Sequence, residues 1–143
     1  MSQTSPFPTG GTDIEIQLRW SDEDKLGHVN NARIVTLMEE ARVRWLRRDG
    51  IAERFGNGLV VAALQINYLK PLYYRPSMTV RMGVDRIGTK SFALRHLGYQ
   101  DGQVAFDGTT VMVALDTDGV SSRLPTPAER EWLQDQMLSV GNA

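Results

Sequence analysis

One stretch limits the folds open to this chain more than any other: a single long amphipathic helix set among segments that alternate like strands. Ile34, Leu37, Met38, Ala41 and Trp45 recur at helical spacing and share one face. Asn30 suits the N-cap and Gly50 the stop, about five turns apart. Arg42, Arg44, Arg47 and Arg48 load the C-terminal half, where the helix dipole favours positive charge. Before this helix, Ile14, Ile16, Leu18 and Trp20 alternate with Asp13, Glu15, Gln17 and Arg19, the period of a half-buried strand. After it, Leu59 to Leu69 is nearly continuous in apolar residues, which predicts a strand covered on both faces or lying at a subunit interface.

Further strands follow. Met78, Val80, Met82 and Val84 alternate with polar positions, and Phe92, Leu94 and His96 form one face of the next strand. Asp101-Gly102 is a two-residue hairpin signal. Val104 and Phe106 keep one phase while Val111, Val113 and Leu115 keep the other, so Gly108 between them reads as a bulge. Thr126, Pro127 and Glu129 make the capping box of a short last helix, with Trp132 packing it down. Trp20 and Trp45 are expected in the core. One long helix and five antiparallel strands can bury their apolar faces only if the sheet wraps the helix. The expected class is a two-layer α+β domain.

Composition narrows the function. At 143 residues the chain suits one domain, with residues 1–12 as a flexible arm and 13–143 as the folded unit. There is no cysteine, which excludes disulfides, thiolate metal sites and cysteine nucleophiles, and two histidines make a histidine-rich metal site improbable. A net charge of −1 gives no field that favours nucleic acid or an anionic membrane. No apolar run reaches the roughly 20 residues needed to span a bilayer. The N-terminus lacks the basic and apolar regions of a signal peptide, so a cytoplasmic location is expected.

The loop from Trp20 to Asn31 carries the chemistry. Asp22, Glu23 and Asp24 stand side by side just ahead of the helix. Two readings are open. Acidic groups favour helix N-termini in any protein. Alternatively, the free N–H groups near Asn30 and Asn31 polarise a carbonyl and a carboxylate folds back beside them, a pairing suited to acyl transfer. Gly27 would permit the tight turn between the two.

The elements Asp22-x-Asp24-x-x-Gly27-His28-Val29-Asn30-Asn31 and Glu39-Glu40-Ala41-Arg42-Val43-x-Trp45-Leu46 resemble the 4-hydroxybenzoyl-CoA thioesterase family of hot-dog-fold proteins. So do Asn67-Tyr68-Leu69-Lys70-Pro71 and Arg86-Ile87-Gly88-x-Lys90-Ser91-Phe92. The resemblance runs from about Ile14 to Asp116. It implies a bent five-stranded antiparallel sheet around a central helix, and homodimers or homotetramers with active sites at the dimer interface. Leu59–Leu69 would be the pairing edge. It implies an acyl-CoA substrate and no cofactor, with Asp24 as nucleophile or general base and the Asn31 amide holding the thioester carbonyl. Gly27 and His28 complete that loop; for His28 a loop-orienting hydrogen bond is favoured over a bond to water. Lys90 and Ser91, with Arg86 near them, match positions that meet the nucleotide end of CoA. Gly88 and Thr89 stand where some members carry a basic pair.

The remaining residues receive structural readings. Asp22 is expected to hold a loop N–H or an arginine, and His96 to be a satisfied pocket or interface residue. Glu39 and Glu40 are expected to pack or to pair with Arg42 or Arg44, with one of them a minor catalytic candidate because a second class of hot-dog thioesterases uses a glutamate on this helix. Arg86, Lys90 and Arg95 are expected to cluster at one hairpin, and the small residues Ala62 and Ala63 to leave room for the acyl group near the helix face. A hydratase is disfavoured, because Leu26 and His28 break the Asp-x-Asn-x-x-His pattern. An acyl-carrier-protein thioesterase and a non-catalytic acyl-CoA-binding protein are the alternatives.

Overall fold

The computed structural model describes residues 7–51 and 54–139. The first half of the expected arm, residues 1–6, lies outside them. Its second half is tied down: Thr9 and Ser139 exchange backbone bonds of 2.9 Å in both directions. Strand β1 (Thr12–Gln17) leads into helix α1 (Asn31–Leu46). Strands β2 (Leu59–Tyr68), β3 (Ser77–Ile87), β4 (Ser91–Gln100) and β5 (Gln103–Leu115) follow. A two-residue strand β6 (Ser122–Arg123) and helix α2 (Pro127–Asp135) close the chain. All strand pairs are antiparallel in the order β1-β3-β4-β5-β2, with β6 beside β5. The sheet wraps α1, giving the hot-dog arrangement.

Helix α1 starts as expected, with the Asn30 side chain accepting from the Ala32 N–H at 2.8 Å. It ends earlier than Gly50. Arg48–Gly50 form a separate 3₁₀ turn in which Asp49 and Gly50 have positive φ. Two arginines take the end of α1 and carry the chain onward. Arg48 donates to the Trp45 carbonyl at 3.0 Å and to Thr12 and Gln136 at 2.8 Å each, and Arg54 donates to the Leu46 carbonyl at 3.1 Å. Arg48, just past the helix, therefore fastens the C-terminus of α1 to Thr12 and Gln136, beyond any dipole effect.

The helix lays Ile34, Leu37, Met38, Ala41 and Trp45 on the sheet, all buried. Trp45 and Trp132 sit 4.9 Å apart, and Phe55 stacks on Phe92 at 5.3 Å. Phe92, Leu94 and His96 do share the helix-facing side, opposite Met112, Thr110 and Gly108. The phase change in β5 is not at Gly108. The register slips where Gly98 faces Phe106 and Tyr99 faces Val104, so Ala105 is the extra residue. Gly108 is in regular register and lies under Met38, whose thioether fills the space a side chain there would need. Asp101 and Gly102 both have positive φ, as a two-residue hairpin of this kind requires.

Two expectations are corrected. Trp20 is 75% exposed, not core. Strand β1 stops at Gln17, and a 3₁₀ turn over Trp20–Asp22 lifts the indole off the sheet after Leu18, the last buried apolar position of the alternation. Strand β2 is not covered on both faces. It is one of the sheet's two edges, and Val60, Val61 and Leu64 are 42–45% exposed.

Candidate active site

The loop ahead of α1 folds into a miniature antiparallel ladder. Asn30 N–H donates to the Asp22 carbonyl at 2.8 Å, Glu23 bridges Val29, and Asp24 N–H donates to the His28 carbonyl at 2.8 Å. The tip closes through Gly27 N–H to the Asp24 carbonyl at 3.1 Å. Gly27 has φ of +78°, which a side chain would oppose.

The ladder separates the acidic residues. Asp22 is buried and pairs with Arg19 at 3.0 Å. Burial pushes its carboxyl up, but the side-chain and backbone bonds from Arg19 outweigh this and hold it below the ordinary carboxylate value. Asp24 stands at the tip. Its Oδ1 accepts from the N–H groups of Leu26 at 2.9 Å and His28 at 3.3 Å, and its Oδ2 accepts no hydrogen bond from a described residue. The His28 imidazole packs edge-on against Tyr73 at 5.2 Å. The bonds by which His28 orients this loop come from its backbone.

The first turn of α1 supplies the complementary group. Ala32 N–H is capped by Asn30, and Arg33 and Ile34 N–H groups return to the Asn30 carbonyl. The Asn31 N–H makes no bond to any described residue. It points out from the positive end of the helix dipole. Asp24 is two ladder positions from Asn30, about 7 Å along the strand direction. A carboxylate with one tied and one open oxygen thus shares this short loop with an open donor. The two groups can bracket a carbonyl and a water, the parts needed for acyl transfer. Tyr68 Oη donates to the Asn31 carbonyl at 3.0 Å and brings the end of β2 to this point.

Arg86, Lys90 and Ser91 lie elsewhere. They flank the β3–β4 turn, closed by Gly88 N–H to the Ser91 carbonyl at 2.8 Å and braced by Arg130 on the Gly88 and Thr89 carbonyls. Phe92 pairs with Met112, which pairs with Val61, so this turn sits at the start of β2. Asn31 sits at its other end, about 20 Å away at strand spacing. One chain does not bring the two groups together. Arg95 is committed elsewhere, to both oxygens of Asp107 at 2.6 and 2.7 Å and to Asp85 at 3.1 Å. Glu40 pairs with Arg44 at 2.9 Å, and Glu39 stands 3.6 Å from Arg42.

Two features escaped the sequence reading. A cavity of about 750 Å³ lies between the C-terminal half of α1 and the start of β2. Ala62 and Ala63 are not in its lining; they are exposed at a bulge of β2. Inside the domain, His96 is buried; the backbone at Gly108 and Leu94 lies near its ring, but neither ring nitrogen makes a well-formed hydrogen bond to a described residue, so it is not the satisfied residue expected. Burial, and behind it the charge of Arg42, push its pKa down to about 3. The available signal was Arg42 itself, a charge adjoining Ala41 at the edge of the apolar stripe.

Among the described residues no helix is long and apolar enough to cross a membrane, and no group of three His, Asp or Glu is placed to hold a metal. Residues 18–137 match the thioesterase-like superfamily. A thioesterase from Thermus thermophilus, solved in complex with coenzyme A and zinc, is 33% identical. The match covers 87% of this chain and 92% of that one, with a TM-score of 0.74. The long-chain acyl-CoA thioesterase FadM of Escherichia coli K12 is 28% identical over 113 residues, 71% of this chain and 81% of FadM. A thioesterase-superfamily structure from Jannaschia sp. CCS1 shares the fold, with a TM-score of 0.84 at 20% identity over 93% of this chain and 97% of that one.

Proposed function

The chain belongs to the thioesterase-like superfamily and is a thioester hydrolase; on that footing we propose that it hydrolyses acyl-CoA, with Asp24 as the reacting carboxylate. One observation carries this reading: neither Asp24 Oδ2 nor the Asn31 N–H is bonded to a described residue, and one short ladder ties the Asp24 tip to the start of α1. The thioester carbonyl oxygen accepts from the Asn31 N–H, and the helix dipole favours the oxyanion as it forms. Asp24 Oδ2 then attacks the carbonyl carbon or takes the proton of an attacking water; the thiolate of CoA leaves. Single turnover in ¹⁸O-water separates the two routes, since only the covalent route can place label in the Asp24 carboxyl. Coenzyme A as leaving group is supported by the named chemistry of the relatives.

The working form is a homodimer or a dimer of dimers. A long, apolar, uncovered edge strand is an aggregation hazard unless something pairs with it. A second copy laid antiparallel along β2 covers Val60, Val61 and Leu64. It also carries its own Asp24 and Asn31 to the end of this chain where Lys90, Ser91 and Arg86 stand, in reach of the phosphates of CoA.

The test is thiol release from short, long and aromatic acyl-CoAs by wild type and Asp24→Asn. Asn keeps the Oδ1 acceptor that holds the loop and removes the nucleophile or base. The expected loss is about a hundredfold or more. A mutant as fast as wild type removes Asp24 from the chemistry. A wild type that releases no thiol from any CoA ester removes CoA as the leaving group.

A further inference from the structure

The cavity beside α1 has mixed walls: Val43, Leu46, Phe55, Leu59 and Met112 line it, and so do Glu39, Arg47, Arg54 and Asn57. Arg42 also lines it and is only 7% exposed. Its guanidinium makes no hydrogen bond to a described residue; its one ionic neighbour, Glu39, stands at 3.6 Å with its own side chain 67% exposed. The groups deeper inside do not balance the charge. His96 is held neutral, and Thr110 is a buried hydroxyl. A cation taken out of water without a close partner is costly, and a guanidinium presents a planar fork that fits a carboxylate through two parallel bonds. Glu39, on the rim, is free to turn into solvent.

The cavity reaches Val60 and Val61. That is the end of β2 to which the antiparallel pairing brings the partner's helix start. A thioester carbonyl held there has the cavity in front of it.

Resting on the thioesterase reading, we propose that this cavity receives the acyl moiety and that Arg42 pairs with a carboxylate at its far end. The preferred substrates are then ω-carboxyacyl-CoAs, monothioesters of dicarboxylic acids, in place of plain fatty-acyl-CoAs. Arg42 is a specificity residue and takes no part in the bond-breaking step.

The experiment compares kcat/KM for plain and ω-carboxy acyl-CoAs of matched length, using wild type, Arg42→Met and Arg42→Lys. Wild type favours the carboxylated series at least tenfold, Arg42→Met brings the ratio to one or below, and Arg42→Lys keeps part of it through charge without the fork. Should Arg42→Met fold poorly, inhibition of wild type decides: free dicarboxylic acids compete better than monocarboxylic acids of equal length. Wild type that treats the two series alike overturns the proposal. So does an equal loss on both series in Arg42→Met, which marks Arg42 as a packing or subunit contact. Either result leaves the Asp24 reading standing if Asp24→Asn is inactive. No hydrolysis of either series overturns both.

Discussion

Strands β2 and β5 are neighbours of similar apolar content and opposite fate. In β5 the helix-facing residues Phe106, Thr110, Met112 and Ala114 are almost completely buried, because β4 and β2 flank the strand and α1 crosses it. In β2, Val60, Val61 and Leu64 stay over two-fifths exposed, because the sheet ends there. Position in the sheet, not composition, decides which residues hold the fold and which are left for something else to cover. The features with chemical potential adjoin the uncovered strand: the open Asn31 N–H at one end, the cavity and Arg42 at the other. The buried half makes the scaffold, and the open half is where a substrate and a second copy can act.

That contrast is breakable. Trp45→Ala strikes the buried half, removing a side chain with no exposed surface and its contact with Trp132. It should cost about 3–5 kcal/mol of stability in urea or thermal unfolding. A loss under about 1 kcal/mol would mean the core under α1 is looser than its burial suggests.

His96 tests the same half by pH. Its folded pKa of about 3 lies below the ordinary 6.5, so the unfolded chain binds a proton that the folded one refuses. The stability from keeping it neutral is whole above pH 6.5 and falls as pH drops, by about 2 kcal/mol at pH 5. Asp22 and Glu129, whose carboxyls are lowered, contribute only nearer about pH 4 and below. Urea midpoints for His96→Leu should therefore be flat between about pH 6.5 and 5, where wild type declines. Parallel curves for the two proteins would mean His96 is protonated inside the fold. The smallest effect is expected on the open half. Asp24→Asn should shift stability by less than about 0.5 kcal/mol while the rate collapses, and an equal fall in both would make Asp24 a structural residue.

Local chemistry explains what could be read in advance. The Thr126–Glu129 capping box, the Asp101-Gly102 turn and the Asn30 cap are decided within a few residues, and each formed as its side chains dictate. So is the Asp24 loop, whose ladder closes between Asp22 and Asn30. Readings that depended on distant contacts failed. The alternation through Trp20 looked like a continuing strand, but partners for β1 end with Gln17 opposite Ser77. Gly108 looked like a backbone device, whereas Met38, far away in sequence, sets its size. The cavity joins α1 to the segment from Arg54 to Val61 and to Met112, a conjunction no single stretch displays. Lys90 and Ser91 lie at the opposite end of β2 from Asn31, and one chain's sequence does not display what a second copy would bring there.

The claim that most needs testing is that two copies build one working site. Sedimentation of the enzyme during turnover, followed by thiol release, measures the mass of the species that is active. The account predicts activity travelling with at least two 16.0 kDa chains. Full activity travelling with a single chain would contradict it.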